Sequence, residues 1–196
     1  MGLILRGNGV VEGLTDLPAG SVTAADLEST LDLSGKTVTL PLGTGGKILQ
    51  IVQDTKTDTF STTSTSFVDV TGLSVSITPS STSSKILVLG TLQWNTTGHA
   101  SARLLRDSTN IAIGDSAGSR IQGVFHNSDS ASYNIIASHI AWLDSPATTS
   151  AVTYKFQIAV PWSSTYVVTV NRSTQDTDTA YQTRVPSSIV VMEVAG

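Results

Sequence analysis

The chain has no cysteine, which excludes disulfides and thiolate metal sites and leaves burial or oligomerisation to stabilise it outside a cell. Charge is scarce as well. Only 13% of the 196 residues are Asp, Glu, Lys or Arg, with three glutamates and five lysines among them, so few strong helix formers are present. The eleven basic residues are scattered and the formal net charge is −4, which is not the footprint of a nucleic-acid binder. No apolar run approaches the roughly 18 residues that a spanning helix needs, and no membrane insertion is expected. The N-terminal "MGLILRGNGVVEG" is apolar in part, but it is short, broken by glycine and lacks a basic flank, so it does not read as a signal peptide. Its sixth residue is Arg6 rather than the Ser or Thr of a myristoylation signal.

Hydroxyl groups are abundant: 28 threonines and 27 serines. Threonine, with valine and isoleucine, fits the pleated surface of a sheet, so the composition predicts an all-β protein.

Residues 1–45 read differently from the rest. Thr23 and Asp26 suit a short capped helical segment that Gly35 would end. Lys36–Leu40 reads as a strand before Pro41 and the glycine-rich joint at 43–46. The apolar residues Leu3, Ile4, Leu5, Val10, Val11 and Leu14 are too few and too interrupted to form a core of their own. They are expected to act as an attachment arm buried against a neighbouring subunit or a larger assembly.

From residue 46 onward the apolar period is two. "LSVSIT" (73–78) and "AVTYKFQIAV" (151–160) alternate apolar with polar or small residues, the pattern of half-buried antiparallel strands. "KILVLGTLQW" (85–94) and "YNIIASHIAWLD" (133–144) are apolar on both faces for part of their length. Such strands need one face in a core and the other covered by a partner. Further strands are expected near 47–54, 66–70, 101–106, 109–113, 119–125, 165–171 and 187–194, separated by turn clusters such as "TPSSTSS" (78–84) and "DSPATTS" (144–150). About ten strands at this spacing predict an antiparallel β-sandwich or jelly-roll-like head over 46–196.

One motif suggests chemistry. Gly114-Asp115-Ser116-Ala117-Gly118 fits G-x-S-x-G, the strained strand-to-helix turn of α/β-hydrolases. Here a further strand, not a helix, is expected to follow. Asp144 has no histidine after it, since the three are His99, His126 and His139. His99 and Asp107 share one hairpin with Ser116, which does not deliver a triad from separate halves of a barrel. The residues therefore read as a turn, and no catalytic residue is assigned. No two histidines have paired ligand spacing, and Asp176 and Asp178 in "STQDTDTAY" are sparse for a calcium loop. No metal or cofactor is expected. Trp94, Trp142 and Trp162 read first as core or interface anchors and second as sugar-stacking platforms.

Several separated segments resemble bacteriophage virion proteins: "RLLRDSTNIAIGDSAGSR" (103–120), "HIAWLDSPATTSAVTYKFQ" (139–157), "VPSSIVVMEVAG" (185–196) and the stretch 47–88, with "DLSGKTVTLP" (32–41) similar to a connector found ahead of such modules. The resemblance implies a compact β-sandwich that assembles as a homotrimer, with its N-terminal part attached to the particle. It does not fix a place on the virion, and the favoured reading is a capsid decoration (cement) protein, bound to the major capsid protein or another virion component through the arm. The alternative is a short tail-fibre or tailspike tip that binds host polysaccharide. The capsid exterior is favoured over the tail, because residues 1–45 hold no repeated shaft and no coiled-coil heptads. If the head also touches a host glycan, the loops "WNTTGH" (94–99) and "HNSDSAS" (126–132) are the expected exposed sites, with Trp94, Asn95, His99, His126 and Asn127 as contact residues. A sugar-cleaving enzyme is the third reading, and it lacks a catalytic constellation.

Overall fold

The computed structural model describes residues 47–128 and 133–196, which belong to a compact unit spanning Thr44–Gly196. The proposed arm residues Leu3 to Leu14 lie outside the described residues. What is described is all-β: β1 (Ile48–Lys56), β2 (Phe60–Thr62), β3 (Val68–Ile77), β4 (Lys85–Thr96), β5 (Ala100–Arg106), β6 (Thr109–Ile111), β7 (Phe125–Asn127), β8 (Ile136–Asp144), β9 (Val152–Ala159), β10 (Val168–Val170) and β11 (Ser187–Val194).

All the strand pairs are antiparallel, and the sheets curl as a half-barrel around one core. The first sheet has six strands, in the order β1-β11-β4-β10-β2 with β8 on the free side of β4. The second has five, β3-β9-β5-β6 with β7 also on β5. Each sheet is organised on a strand that shares one edge between two partners. β4 pairs with β11 over 85–91 and with β10 over 94–96, and β5 pairs with β7 over 100–102 and with β6 over 104–106.

Alternation decides what enters the core. Leu73, Val75 and Ile77 of β3 and Val152, Tyr154, Phe156 and Ile158 of β9 face Ile86, Val88, Leu92 and Trp94 of β4. Gly90 marks the closest approach of the two layers, since a Cβ there would lie 2.6 Å from the Phe156 ring. A buried polar brace also joins them. Asp144 accepts hydrogen bonds from Arg106 Nη1 (2.8 Å) and from the Tyr154 hydroxyl (2.8 Å). Burial first, and then the bond to Asp144, pushes the Tyr154 hydroxyl pKa far up, so it stays a donor at any physiological pH.

Three strand expectations need correction. The stretches 66–70 and 73–78 form one strand, β3, interrupted by a register shift between Asp69 and Ser74 where Gly72 takes φ +77°. Residues 119–124 are irregular and only 125–127 pair, as β7. β2 was not anticipated, because "FST" carries no apolar alternation long enough to register.

Candidate functional site

Three segments converge at one end of the second sheet: the turn from β4 to β5, the stretch leading into β7, and the loop from β9 to β10. They bound an open cleft of about 830 Å³. The β4–β5 turn is fixed to the β9–β10 loop by reciprocal bonds, Thr97 N to the Val167 carbonyl (3.0 Å) and Val167 N to Thr97 Oγ1 (2.9 Å). Gly98 lets the Tyr166 ring lie directly on the turn, where a Cβ would come within 2.5 Å of it. Tyr166 meets His99 edge-on at 6.4 Å between ring centres, and His99 stacks on His126 at 5.9 Å. Trp162, just after Pro161, tilts against His99 at 6.3 Å and is 77% exposed. A tryptophan so open to water is unusual, because its indole normally finds cover.

The opposite wall is the stretch 112–124. Gly123 lets it press onto β5, since a Cβ there would sit 2.8 Å from the Ala102 carbonyl oxygen. Val124 N donates to that carbonyl (2.8 Å), Arg103 Nε donates to Gln122 O (3.0 Å), and Gln122 Nε2 donates to Gly114 O (2.8 Å). These bonds place Arg120 at the rim. The lining includes Arg120, His99, His126, Ser101 and Ser119 and, among the described residues, no carboxylate. Chemically it offers an apolar plate, several hydroxyl and imidazole hydrogen-bonding groups, and one fixed positive charge.

A second surface is the outer face of the six-stranded sheet. Its side chains form rows across four strands. Ile51, Met192, Leu87 and Leu143 are in direct register, followed by Gln53, Val190, Leu89 and Ala141. The third row, Thr55, Ser188, Thr91 and His139, is polar, with Thr91 Oγ1 3.0 Å from His139 Nδ1. Ile51 is 59% exposed and Leu143 56%, and none of the twelve residues is Asp, Glu, Lys or Arg. A shallow groove of about 530 Å³ runs between Leu89, Val190 and His139. β8, which bounds this face, pairs with β4 only among the described residues.

No protein-family model and no curated protein matches the chain.

Of the residues expected in exposed loops, His99 and His126 are exposed and line the cleft. Trp94, Asn95 and Asn127 do not, and they are buried. β4 continues to Thr96 because Val168–Val170 pairs with it, which makes Trp94 and Asn95 strand residues rather than loop residues. The Trp94 indole faces the core and donates to Ser138 Oγ (2.9 Å). The Asn95 Oδ1 accepts from Thr96 N (2.7 Å). Asn127 sits on β7 opposite Ala100. Ser116 is exposed in irregular chain, with a turn at 117–120 and no helix after it. Asp144 is engaged by Arg106 and Tyr154. Asp176 pairs with Arg172 and Arg184, whose charges hold its carboxyl below the usual range, with the Arg184 bond the larger cause. Sequence reasoning read Trp162 first as a core or interface anchor and only second as a sugar-stacking platform, and it did not single out Arg120. The available signal was a tryptophan in a Pro-Trp-Ser-Ser turn, where no core residue belongs.

Proposed function

We propose that the chain is a structural, non-enzymatic protein of a tailed-phage particle, a homotrimer of jelly-roll-like heads that decorates the capsid exterior. Residues 1–45 attach it to the major capsid protein, and the heads bridge and stabilise capsomers. The resemblance of the separated segments supports the virion setting. The observation that carries the structural role is the pair of apolar, uncharged rows on the outer face of the six-stranded sheet, Ile51-Met192-Leu87-Leu143 and Gln53-Val190-Leu89-Ala141. Covering these rows with neighbouring copies removes Ile51, Leu89 and Leu143 from water at about 25 cal/mol per Å², and no residue of the two rows carries a charge to desolvate. A closed three-fold assembly matches the three-fold positions of an icosahedral shell. Three weak arms then act together, and binding only the assembled shell stabilises that shell by mass action.

A second reading, the tip of a tail fibre or tailspike that contacts host polysaccharide, is favoured by the open cleft beside Trp162. Gold-labelled antibodies against the chain, applied to intact virions, separate the two. Label spread over the head supports decoration, label confined to the tail supports a fibre or spike component, and unlabelled particles refute both. Deleting residues 1–14 is expected to leave a folded trimer that no longer binds the particle, which sedimentation of the variant with stripped capsids checks.

A further inference from the structure

We propose that the cleft bounded by Trp162, His99, His126 and Arg120 binds an acidic saccharide. The sugar ring lies on the Trp162 indole, and the sugar carboxylate meets the Arg120 guanidinium. The proposal specifies a ligand class for the host contact named above and rests on that reading only for the source of the sugar.

The argument begins with Trp162. Its indole is held in place, with His99 beside it and the loop closed by Tyr166 N to the Ser163 carbonyl (3.2 Å) and Thr165 N to Ser163 Oγ (3.2 Å). An exposed, positioned apolar plate costs solvation and gives the core nothing, so its use is at the surface. A pyranose presents a C–H face to such a plate and a rim of hydroxyls around it. The cleft answers that rim with the His99 and His126 imidazoles and with the hydroxyls of Ser101 and Ser119.

Charge narrows the class. Among the described arginines, Arg106, Arg172 and Arg184 are ion-paired, and Arg103 lies over the Phe67 ring at 3.8 Å. Arg120 directs one Nη1 hydrogen to the Ala117 carbonyl (3.3 Å) and forms no ion pair with a described carboxylate. It faces a cleft with no Asp or Glu among the described residues of its lining, in a chain whose net charge is −4. A guanidinium with free donors and no counter-charge fits a carboxylate in bidentate geometry. One cation serves one carboxylate. A polynucleotide would need a row of cations along its backbone, and the cleft has none.

The test is calorimetric titration of the full chain with matched pairs: sialyllactose against lactose, and a galacturonic acid trimer against maltotriose. At least one acidic member should bind about tenfold or more tighter than its neutral partner, the worth of a charge-assisted hydrogen bond. Trp162→Ala should remove measurable binding of both. Arg120→Gln should bring the acidic sugar down to the affinity of the neutral one. Both side chains are exposed, so thermal melts of the variants should match that of the parent and exclude misfolding as the cause of lost binding. Equal affinity for acidic and neutral sugars, binding unchanged in Trp162→Ala, no binding of any of the four sugars, or tighter binding of a decathymidylate strand would each overturn the proposal. Antibody labelling of the capsid with no sugar binding refutes this site and leaves the decoration reading standing. Sugar binding with unlabelled virions does the reverse.

Discussion

The two sheets share one core and differ on their outer faces. On the five-stranded sheet the outward residues of β3 and β9 are polar and bonded across the pair. Ser76 and Thr153 hydroxyls are 2.7 Å apart, and Asp69 accepts from Lys155 Nζ and Gln157 Nε2, both at 2.7 Å. Those two donors, Lys155 the larger, hold the Asp69 carboxyl below its usual range. On the six-stranded sheet the corresponding rows are Ile51-Met192-Leu87-Leu143 and Gln53-Val190-Leu89-Ala141. A face built like the first belongs in water. A face built like the second associates unless something covers it. On the proposed reading, assembly uses one side of the head and solvent meets the other.

The largest expected effect breaks that contrast directly. Leu89→Arg with Leu143→Arg places two charges in the apolar rows without touching the core, because both side chains point outward. Sedimentation equilibrium should show the parent as a trimer and this variant as a folded monomer at micromolar concentration. Ser74→Arg, which adds the same charge to the polar face, should leave the trimer intact. A monomeric parent, or a trimer that survives both leucine substitutions, would show that the apolar face is not the interface.

Gly90→Val tests the inner side of the same strand. A Cβ at this position lies 2.6 Å from the Phe156 ring, and a branched side chain has no void to enter. Overpacking should lower unfolding stability by about 1–3 kcal/mol, read by urea denaturation. If the leucine substitutions merely weakened β4, Gly90→Val would also dissociate the trimer at concentrations where the head is still folded. It should not.

Acid sharpens the comparison by less. Glu193 is the one carboxylate that β11 turns inward, and it is buried. Burial works to raise its pKa, but bonds from Ser80 N (2.7 Å), Ser80 Oγ (2.6 Å) and Gln50 Nε2 (2.6 Å) overcome that and bring it down from 4.5 to about 2. A folded-state pKa below the unfolded one contributes stability above the unfolded value, and that stability is lost as pH falls. Melting temperature should therefore decline from about pH 4.5 toward pH 2 as this carboxylate takes a proton. Glu193→Gln should flatten that part of the profile and cost about 1–3 kcal/mol at neutral pH, because charge-assisted bonds to buried donors are lost.

How much of this was legible depended on period. "LSVSIT" and "AVTYKFQIAV" alternate cleanly, and they became β3 and β9, whose outer face is polar. "KILVLGTLQW" and "HIAWLD" do not alternate, and they became β4 and β8, whose outer face is apolar. Period reports burial directly, so the class of fold and the faces of these strands could be read from it. The cleft could not. It is built by two glycines that admit close approach, Gly98 under Tyr166 and Gly123 on Ala102, and close approach between distant segments has no local signature. The same limit misplaced Trp94 and Asn95. Their exposure depended on where β4 ends, and that was set by pairing with β10, seventy residues downstream.

Ser116→Ala has the smallest expected effect and lies outside both faces. The serine is exposed in the stretch that forms the outer wall of the cleft. Gly118 takes φ +60° to turn the chain, whereas Gly114 has open space around it and no conformational need for glycine. Removing one exposed hydroxyl should change unfolding stability by less than about 0.5 kcal/mol. Trimer mass and sugar titrations should match those of the parent, because the wall is held by Gln122, Arg103 and Val124 rather than by Ser116. A hydrolytic activity on acyl or glycosyl substrates that disappears in this variant would mean that the loop positions a nucleophile after all, and the cleft beside it would then be a reaction site instead of a lectin-like shelf.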